Sequence, residues 1–330
     1  MKKSSVTIRD VATAAGVSTA TVSKYINGTQ RFSPPVEAKL REAIERLGYQ
    51  ANPLARYMIT GQTRSIGVAI LDIRNPHFTN IVKGANRVAL KHDYTLLFVD
   101  TDESQDRERQ ILEALSRRVD GMIVSSRMPE ESIQWMLGLG KPVVFFGRLQ
   151  HTQMPSVGTD GYRAGYMLAE HLVRLGHKRV AYLGFAGSRW NDERIRGARE
   201  SLATHALSLD VFEALAPSAS AGERACSTLM LGPNRPDAVI CYNDLIAMGF
   251  MKEAQALGFK LPQDVSVTGM DNVPFGEYTS PALTTVDMQS DRMGELAMLK
   301  MLDALSGNVS NEFSMLEPQL VLRDSTIRRP

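Results

Sequence analysis

The sequence predicts an N-terminal all-α helix-turn-helix head followed by an α/β body of two doubly wound parallel-sheet lobes. Three observations predict it. Residues 7–27 (TIRDVATAAGVSTATVSKYIN) read as two short helices about a tight turn. From Ser65 onward, short apolar runs alternate with amphipathic stretches, the pattern of parallel strands joined by helices. That rhythm runs through twice in a chain of 330 residues, enough for two sheets.

In the head, Ile8, Val11, Ala12 and Ala15 recur at helical spacing and give the first helix one apolar face. Thr7 stands where it can cap that helix. Gly16 breaks it where a left-handed residue costs least. Ser18 caps a second helix whose Val22 and Ile26 point inward, leaving Thr19, Ala20, Ser23, Lys24 and Asn27 outside. Ala12 is small where two helices cross, Gly16 turns and Val22 packs, which is the helix-turn-helix spacing. The outer face is small, polar and basic and suits a DNA major groove; the competing reading is an ordinary pair of surface helices. A loop, NGTQRFSPP, follows. Ser33 is placed to cap a third helix with Pro34 and Pro35 in its first turn, an apolar stripe at Val36, Leu40, Ala43, Ile44 and Leu47, and Gly48 at its end.

Asn52 and Pro53 mark a helix start, but the run to Ile59 is too short to hold alone, since isolated helices below about 12–15 residues are marginal. Composition favours an inert linker there over a helix that folds against a partner. In the body, SIGVAIL, YTLLFVD, DGMIVSS and KPVVFFG are candidate strands, and KRVAYLG, DAVICYN and DVSVTGM repeat the pattern. Helices are expected near 78–91, 107–117, 131–139, 193–207, 222–231 and 245–257.

Charge divides the chain in the same place. Up to position 63 there are nine Lys/Arg against four Asp/Glu, and beyond it 29 against 32. A basic head on a mildly acidic body implies that the head alone meets a polyanion. Cys226 and Cys241 are too few for a disulfide framework and read as buried thiols in a reducing compartment. Met1, Lys2 and Lys3 open like a signal peptide, yet Arg9 and Asp10 interrupt any apolar segment. No run reaches the length of a membrane span. A cytoplasmic protein is expected, associated with the nucleoid when on DNA.

Enzyme readings find little to stand on. Gly184-Phe185-Ala186-Gly187 lacks the spacing of a dinucleotide fingerprint. No GxxxxGK[ST] or GxSxG occurs, and the six histidines form no HExxH. No enzyme, catalytic residue, cofactor or metal site is therefore expected. Ligands of open α/β sheets bind beyond the carboxyl ends of the strands. There the chain carries Asn75 to Phe78, Ser125 to Arg127, Gly147-Arg148, Ser188 to Arg194, Asn243-Asp244 and Asp271-Asn272. Hydrogen-bonding groups interleaved with aromatic rings suit a polyol. His171 and His177 read as structural.

With those residues in view, the chain resembles the LacI/GalR (lactose-repressor) family of bacterial transcription regulators over essentially its full length. The resemblance rests on TIRDVATAAGVSTATVSKYIN, Asn52-Pro53-Leu54-Ala55-Arg56, IGVAILDIRNPHF, RRVDGMIV, GTDGYRAG, GHKRVAYLG, ERIRGA, AVICYNDLIAMG, VTGMDN and LTTVD, in family order. It implies periplasmic-binding-protein-like lobes: a head at 1–50, a hinge helix and linker at 51–63, and an effector-binding and dimerisation domain at 64–330. The N-lobe would take about 64–160 and 287–314, the C-lobe about 161–286 and 315–330.

The resemblance further implies a homodimer on a palindromic double-stranded operator. Thr19, Ala20 and Lys24 then match base-reading positions, and Ser18, Thr21, Ser23 and Asn27 lie nearer the phosphates. It replaces the linker reading with a hinge helix containing Asn52, whose wedge into the minor groove, usually Leu, is here Met58. Ile59 stands where a basic residue is common. Effector positions fall on His77, Phe78, Ser125, Trp190, Arg194, Asn243 and Asp271, with Arg194 and Asp271 gripping vicinal hydroxyls from two sides. Gly147 stands where Asp is common, Met288 where Gln is frequent, and Pro217 near a position that is often aromatic. Arg127 and Arg148 point to an anionic effector. No tetramer-forming leucine repeat follows EPQLVLRDSTIRRP, so a dimer is expected. The function implied is a DNA-binding repressor controlled by a sugar, sugar acid or sugar phosphate. The alternative is a solute-binding or sugar-modifying α/β protein with an incidental basic head.

Overall fold

The computed structural model describes residues 6–49 and 61–329, and its contacts divide into two units, Met1–Thr63 and Arg64–Pro330. The first holds three helices: α1 (Ile8–Ala15), α2 (Thr19–Ile26) and α3 (Pro34–Leu47). Val11, Ala12, Ala15, Val22, Leu40 and Ala43 form its buried centre. At the start of α1 the Asp10 carboxylate accepts from both the Thr7 N–H (2.7 Å) and the Thr7 hydroxyl (2.8 Å). Thr7 and Asp10 thereby close the first turn as a capping box. Gly16 takes φ 66° and ends the helix. Ser18 Oγ accepts from the Thr21 N–H at 3.1 Å and opens α2. Ser33 precedes α3 without capping it through its side chain. Pro34 and Pro35 have no N–H to offer, and the Val36 and Glu37 amides bond the Ser33 carbonyl instead.

The second unit begins with β1 (Ser65–Ile70), α4 (Pro76–Lys91), β2 (Thr95–Asp100), α5 (Gln105–Ser116) and β3 (Gly121–Val124). Next come α6 (Glu130–Ile133), β4 (Val143–Phe146), β5 (Ser156–Thr159), α7 (Gly161–Arg174), β6 (Val180–Gly184) and α8 (Trp190–Ala203). It continues with β7 (Leu209–Glu213), α9 (Ala219–Met230), β8 (Ala238–Cys241), α10 (Asp244–Ala256) and β9 (Ser266–Met270). The last elements are β10 (Thr284–Asp287), α11 (Ser290–Leu305), β11 (Phe313–Leu316) and β12 (Gln319–Val321). The strands form two sheets, ordered β11-β5-β4-β3-β1-β2 and β12-β10-β9-β8-β6-β7. Every pairing is parallel except β12 on β10, which adds an antiparallel edge to the second sheet. No helix among the described residues is long and apolar enough to cross a membrane.

The chain passes between the sheets at Asp160, between Asp287 and Ser290, and between Leu316 and Gln319. The last two crossings lie a residue or two beyond 286/287 and 314/315 because β10 and β11 run that much further. Most helices also begin one to three residues before their apolar stripes, where the capping residues sit. The stretch expected as one helix at 131–139 divides into α6 and a 3-10 turn, Gln134–Leu139, closed by Gly140 at φ 64°.

Paired glycines let helices touch. A methyl group at Gly165 on α7 would overlap the Arg194 carbonyl oxygen on α8, and one at Gly197 on α8 would overlap the Tyr162 carbonyl on α7. Gly84 with Gly294, and Gly222 with Gly249, do the same for α4 against α11 and α9 against α10. The pair on α7 and α8 also fixes the backbone that carries Arg194.

Candidate ligand cleft and nucleic-acid face

A cavity of about 450 Å3 opens between the two sheets, beyond the carboxyl ends of their strands. His77, Phe78, Ser125, Trp190, Arg194, Asn243 and Asp271 all line it. Each arrives there for a local reason.

Asn75 caps α4, its Oδ1 accepting from the His77 N–H at 3.0 Å, and this aims the first turn at the cleft. His77 Nδ1 lies 2.8 Å from Ser290 Oγ and 3.5 Å from Asp271 Oδ1, so the imidazole ties the first lobe to the second. Phe78 packs edge-on against it at 5.0 Å. Burial pushes the His77 pKa below its ordinary 6.5, with Asp271 pulling the other way.

Asp271 follows β9 with φ 116°, a region that side chains other than glycine rarely enter. Asp244 braces this turn from below. It is fully buried, accepting from the Val273 N–H at 2.8 Å and from Thr285 Oγ1 at 2.5 Å. Burial raises the Asp271 carboxyl above the usual range against the opposing pull of His77 and Arg194. It raises Asp244 well above that range, and the neighbouring Asp271 adds to the effect.

Arg194, on the first turns of α8, donates from Nη1 to the Tyr242 carbonyl at 2.5 Å, with its guanidinium 4.4 Å from the Tyr242 ring centre. Its Nε is buried with no hydrogen-bond partner among the described residues, as is Ser125 Oγ on the opposite wall. An N–H or O–H buried without a partner typically costs about 1–3 kcal/mol, so both groups are open to a hydrogen-bonding partner in the cleft. Asn243 is engaged in shaping the wall. Its Oδ1 caps α10 through the Ile246 N–H at 2.9 Å, and its Nδ2 donates to the Pro217 carbonyl at 3.2 Å.

Two glycines make room for Trp190. A Cβ on Gly147 would sit 3.2 Å from the indole, and one on Gly158 would sit 2.5 Å from it. Gly147 also takes φ 126°, so a side chain there would be strained as well as crowded by the ring. The reading of Arg127 as an anion attractor fails. Its guanidinium is paired in two bonds to Glu103, at 2.5 and 3.0 Å, over the Phe185 ring, with a side chain only 8% exposed.

Several contributors lie outside the effector positions that the resemblance implied. Arg189 stacks on Phe145 at 5.1 Å and donates across the cleft to the Met128 carbonyl. Glu130 accepts from the N–H groups of Gln150, His151 and Thr152 at 2.7 to 2.9 Å and so fixes the loop after Arg148. Burial works against the charge of Glu130, but these donors hold its pKa below the ordinary value. Ser290, the first residue of the last helix after its N-cap Gln289, meets His77 from 213 positions away, and Glu103 meets Arg127 from 24.

In the head, Thr19, Ala20 and Lys24 are exposed on α2. Among the described residues, Lys24 Nζ bonds Gln30 Oε1 at 3.1 Å. Ser18 and Thr21 bond each other at 2.9 Å, and Asn27 Nδ2 donates to Ser23 Oγ at 3.3 Å, which steadies the helix ends. Asn52 and Met58 lie outside the described residues.

Residues 7–52 match the family model for bacterial regulatory proteins of the lacI family, and residues 169–326 match that for the periplasmic binding protein-like domain. The HTH-type transcriptional repressor PurR of Vibrio cholerae is 31% identical over 332 residues, covering 97% of either chain. The lac repressor dimer bound to operator and the anti-inducer ONPF has the same fold, with a TM-score of 0.88 at 24% identity over 98% of this chain and 100% of that one. A LacI family transcriptional regulator from Enterococcus faecium, solved with bound ribose, aligns at a TM-score of 0.74 and 25% identity over 81% of this chain and all of that one. The chain belongs to the lacI family of bacterial regulatory proteins and is a transcriptional repressor with a ligand-binding domain, not an enzyme.

Proposed function

We propose that this repressor binds a palindromic operator as a homodimer and that a small carbohydrate sets its affinity for that operator. The observation that carries the effector class is the pairing of unsatisfied donors with an acceptor in one cavity. Arg194 Nε and Ser125 Oγ are buried without partners among the described residues, and Asp271 lines the same space beside aromatic faces. A polyol supplies both acceptors and donors to such a set. The ribose bound in the Enterococcus faecium relative supports the same class. The Arg127–Glu103 pair removes one reason to expect an anion.

The DNA face is proposed on α2, with Thr19, Ala20 and Lys24 reading bases, Ser18, Thr21, Ser23 and Asn27 nearer the phosphates, and Asn52 and Met58 serving as hinge contacts. Control follows from the two-lobed cleft. His77 with Asp271, and Arg189 with the Met128 carbonyl, link the lobes. A ligand that bonds both walls favours one lobe arrangement over another and can shift operator affinity only by that difference.

A thermal-shift screen of sugars, sugar acids and sugar phosphates on the full chain tests the effector class. A true ligand at about 100 times its Kd adds about 2.7 kcal/mol of stability, and Arg194→Met removes the shift. A flat response across the panel sinks the carbohydrate reading.

A further inference from the structure

Among the proposed base-reading residues, Lys24 has the most flexible side chain. Its ammonium is a compact charge on a four-carbon stem, with three donors that rotate freely. Such a group is drawn to every phosphate alike, and reading a base edge requires that its direction be set. In the head that direction comes from outside the helix. Gln30, six positions on, accepts a hydrogen bond from Lys24 Nζ through its Oε1 at 3.1 Å.

The loop that brings Gln30 there is anchored on both sides. Gly28 takes φ 64°, a conformation glycine enters at little cost, and its N–H donates to the Tyr25 carbonyl at 3.1 Å. The chain thereby turns back on α2. Thr29 then bonds the Lys24 carbonyl twice, from its N–H at 3.1 Å and from its hydroxyl at 3.3 Å. Two residues past Gln30, the Phe32 N–H donates to Glu37 Oε1 at 3.2 Å, and Glu37 lies in the first turn of α3. Gln30 therefore stands between two fixed points, one of which is the backbone of Lys24 itself. Its oxygen occupies one of the three ammonium protons and leaves two, the number that the O6 and N7 acceptors of a guanine take. Gln30 carries no charge, so it sets direction without cancelling the attraction to DNA.

We infer that Gln30 is a positioning residue for base reading: it holds the Lys24 ammonium toward one base edge and so turns a non-specific cation into a selective contact. This rests on the assignment of Lys24 to base reading and goes beyond it in naming the group that makes that contact selective.

Selection by the full chain from duplexes carrying a randomised palindrome supplies the preferred sequence. Duplexes substituted at one pair of each half-site at a time then measure base preference by fluorescence anisotropy. Lys24→Ala flattens the preference at one pair of the half-site. Gln30→Ala weakens the preference at that same pair roughly three- to tenfold, the scale of one solvated hydrogen bond. It leaves non-specific binding and the salt slope unchanged, because no charge is lost. Added to Lys24→Ala it changes the preference no further, as expected of a residue that acts through its partner. Gln30→Glu keeps an acceptor and hence the preference, while its charge weakens binding to every sequence. Both side chains are exposed, and unchanged circular dichroism melting of the variants confirms their folding. Wild-type preference at that pair in Gln30→Ala overturns the proposal, as does loss of the preference in Gln30→Glu. So does a Gln30→Ala effect of equal size in the Lys24→Ala background, which would make Gln30 a base contact in its own right. A selection that yields no preferred sequence, or a Lys24→Ala protein with unchanged preference at every pair, overturns the base-reading assignment as well and so tells the two failures apart.

Discussion

Arg194 sits under two opposing pressures that its substitution separates. Its Nη1 satisfies the buried Tyr242 carbonyl, which favours the folded state, while its unpartnered Nε counts against it. Arg194→Met loses the first and relieves the second, so stability in urea changes by no more than about 1–2 kcal/mol. Effector affinity, which uses the free Nε, falls roughly 10- to 100-fold. A large stability loss with affinity intact would make Arg194 a purely structural residue.

His77 gives a pH signature. Its folded pKa is lowered, so the stability it contributes is present above its ordinary 6.5 and lost as pH falls through the folded value. Asp271 and Asp244, both raised, act in the opposite direction, and the total pH profile mixes the three. The difference isolates the imidazole: the melting temperature of the wild type falls relative to His77→Gln as pH drops below 6.5. A constant gap between pH 7 and 5 contradicts this. At this scale the sequence shows polar residues after strands but not their partners. Arg127 looks like a free cation until the fold brings Glu103 to it, and the Ser290 that meets His77 stands 213 positions away.

Helix contacts decide how much substitution the cleft tolerates. Gly165→Ala places a methyl group against the Arg194 carbonyl, so α7 and α8 must separate, at a cost of about 1–3 kcal/mol typical of overpacking. Because the displaced backbone carries Arg194, sugar affinity falls with stability. Gly138, where an added methyl group would find nothing within 4 Å, provides the comparison: Gly138→Ala leaves both unchanged. Urea unfolding of the two variants checks this, and equal losses contradict it. Element by element, the buried central strands β1, β3, β4, β6, β8 and β9 are legible as continuous apolar runs. The short edge and crossover strands β7, β10, β11 and β12 are not, being polar or half exposed. The α11 stripe of Met293, Ala297, Met298, Met301 and Ala304 is buried at helical spacing. Its alanines and methionines make a weaker periodic signal than the branched residues of the strands.

For the whole molecule, the uneven charge and the two-lobed cleft make linked demands. Nine basic residues against four acidic up to position 63 place the phosphate contacts in the head, so residues 64–330 alone keep sugar binding and lose DNA binding. For the full chain, operator affinity falls roughly 10³- to 10⁵-fold between about 50 and 200 mM salt if 6–10 phosphates are contacted. Sugar affinity, set inside a cleft of little net charge, stays nearly flat over that range. If the sugar changes operator affinity by about 5- to 150-fold, linkage requires the operator to change sugar affinity by the same factor. Titrating the sugar with and without a saturating operator duplex, at one salt concentration, measures this directly. Equal Kd values in the two titrations would mean that cleft and head bind their ligands independently, and allosteric control would have to be abandoned even with both binding activities intact. A difference matching the shift in operator affinity establishes the coupling, and the sign of that difference says whether the sugar releases the repressor or holds it on DNA.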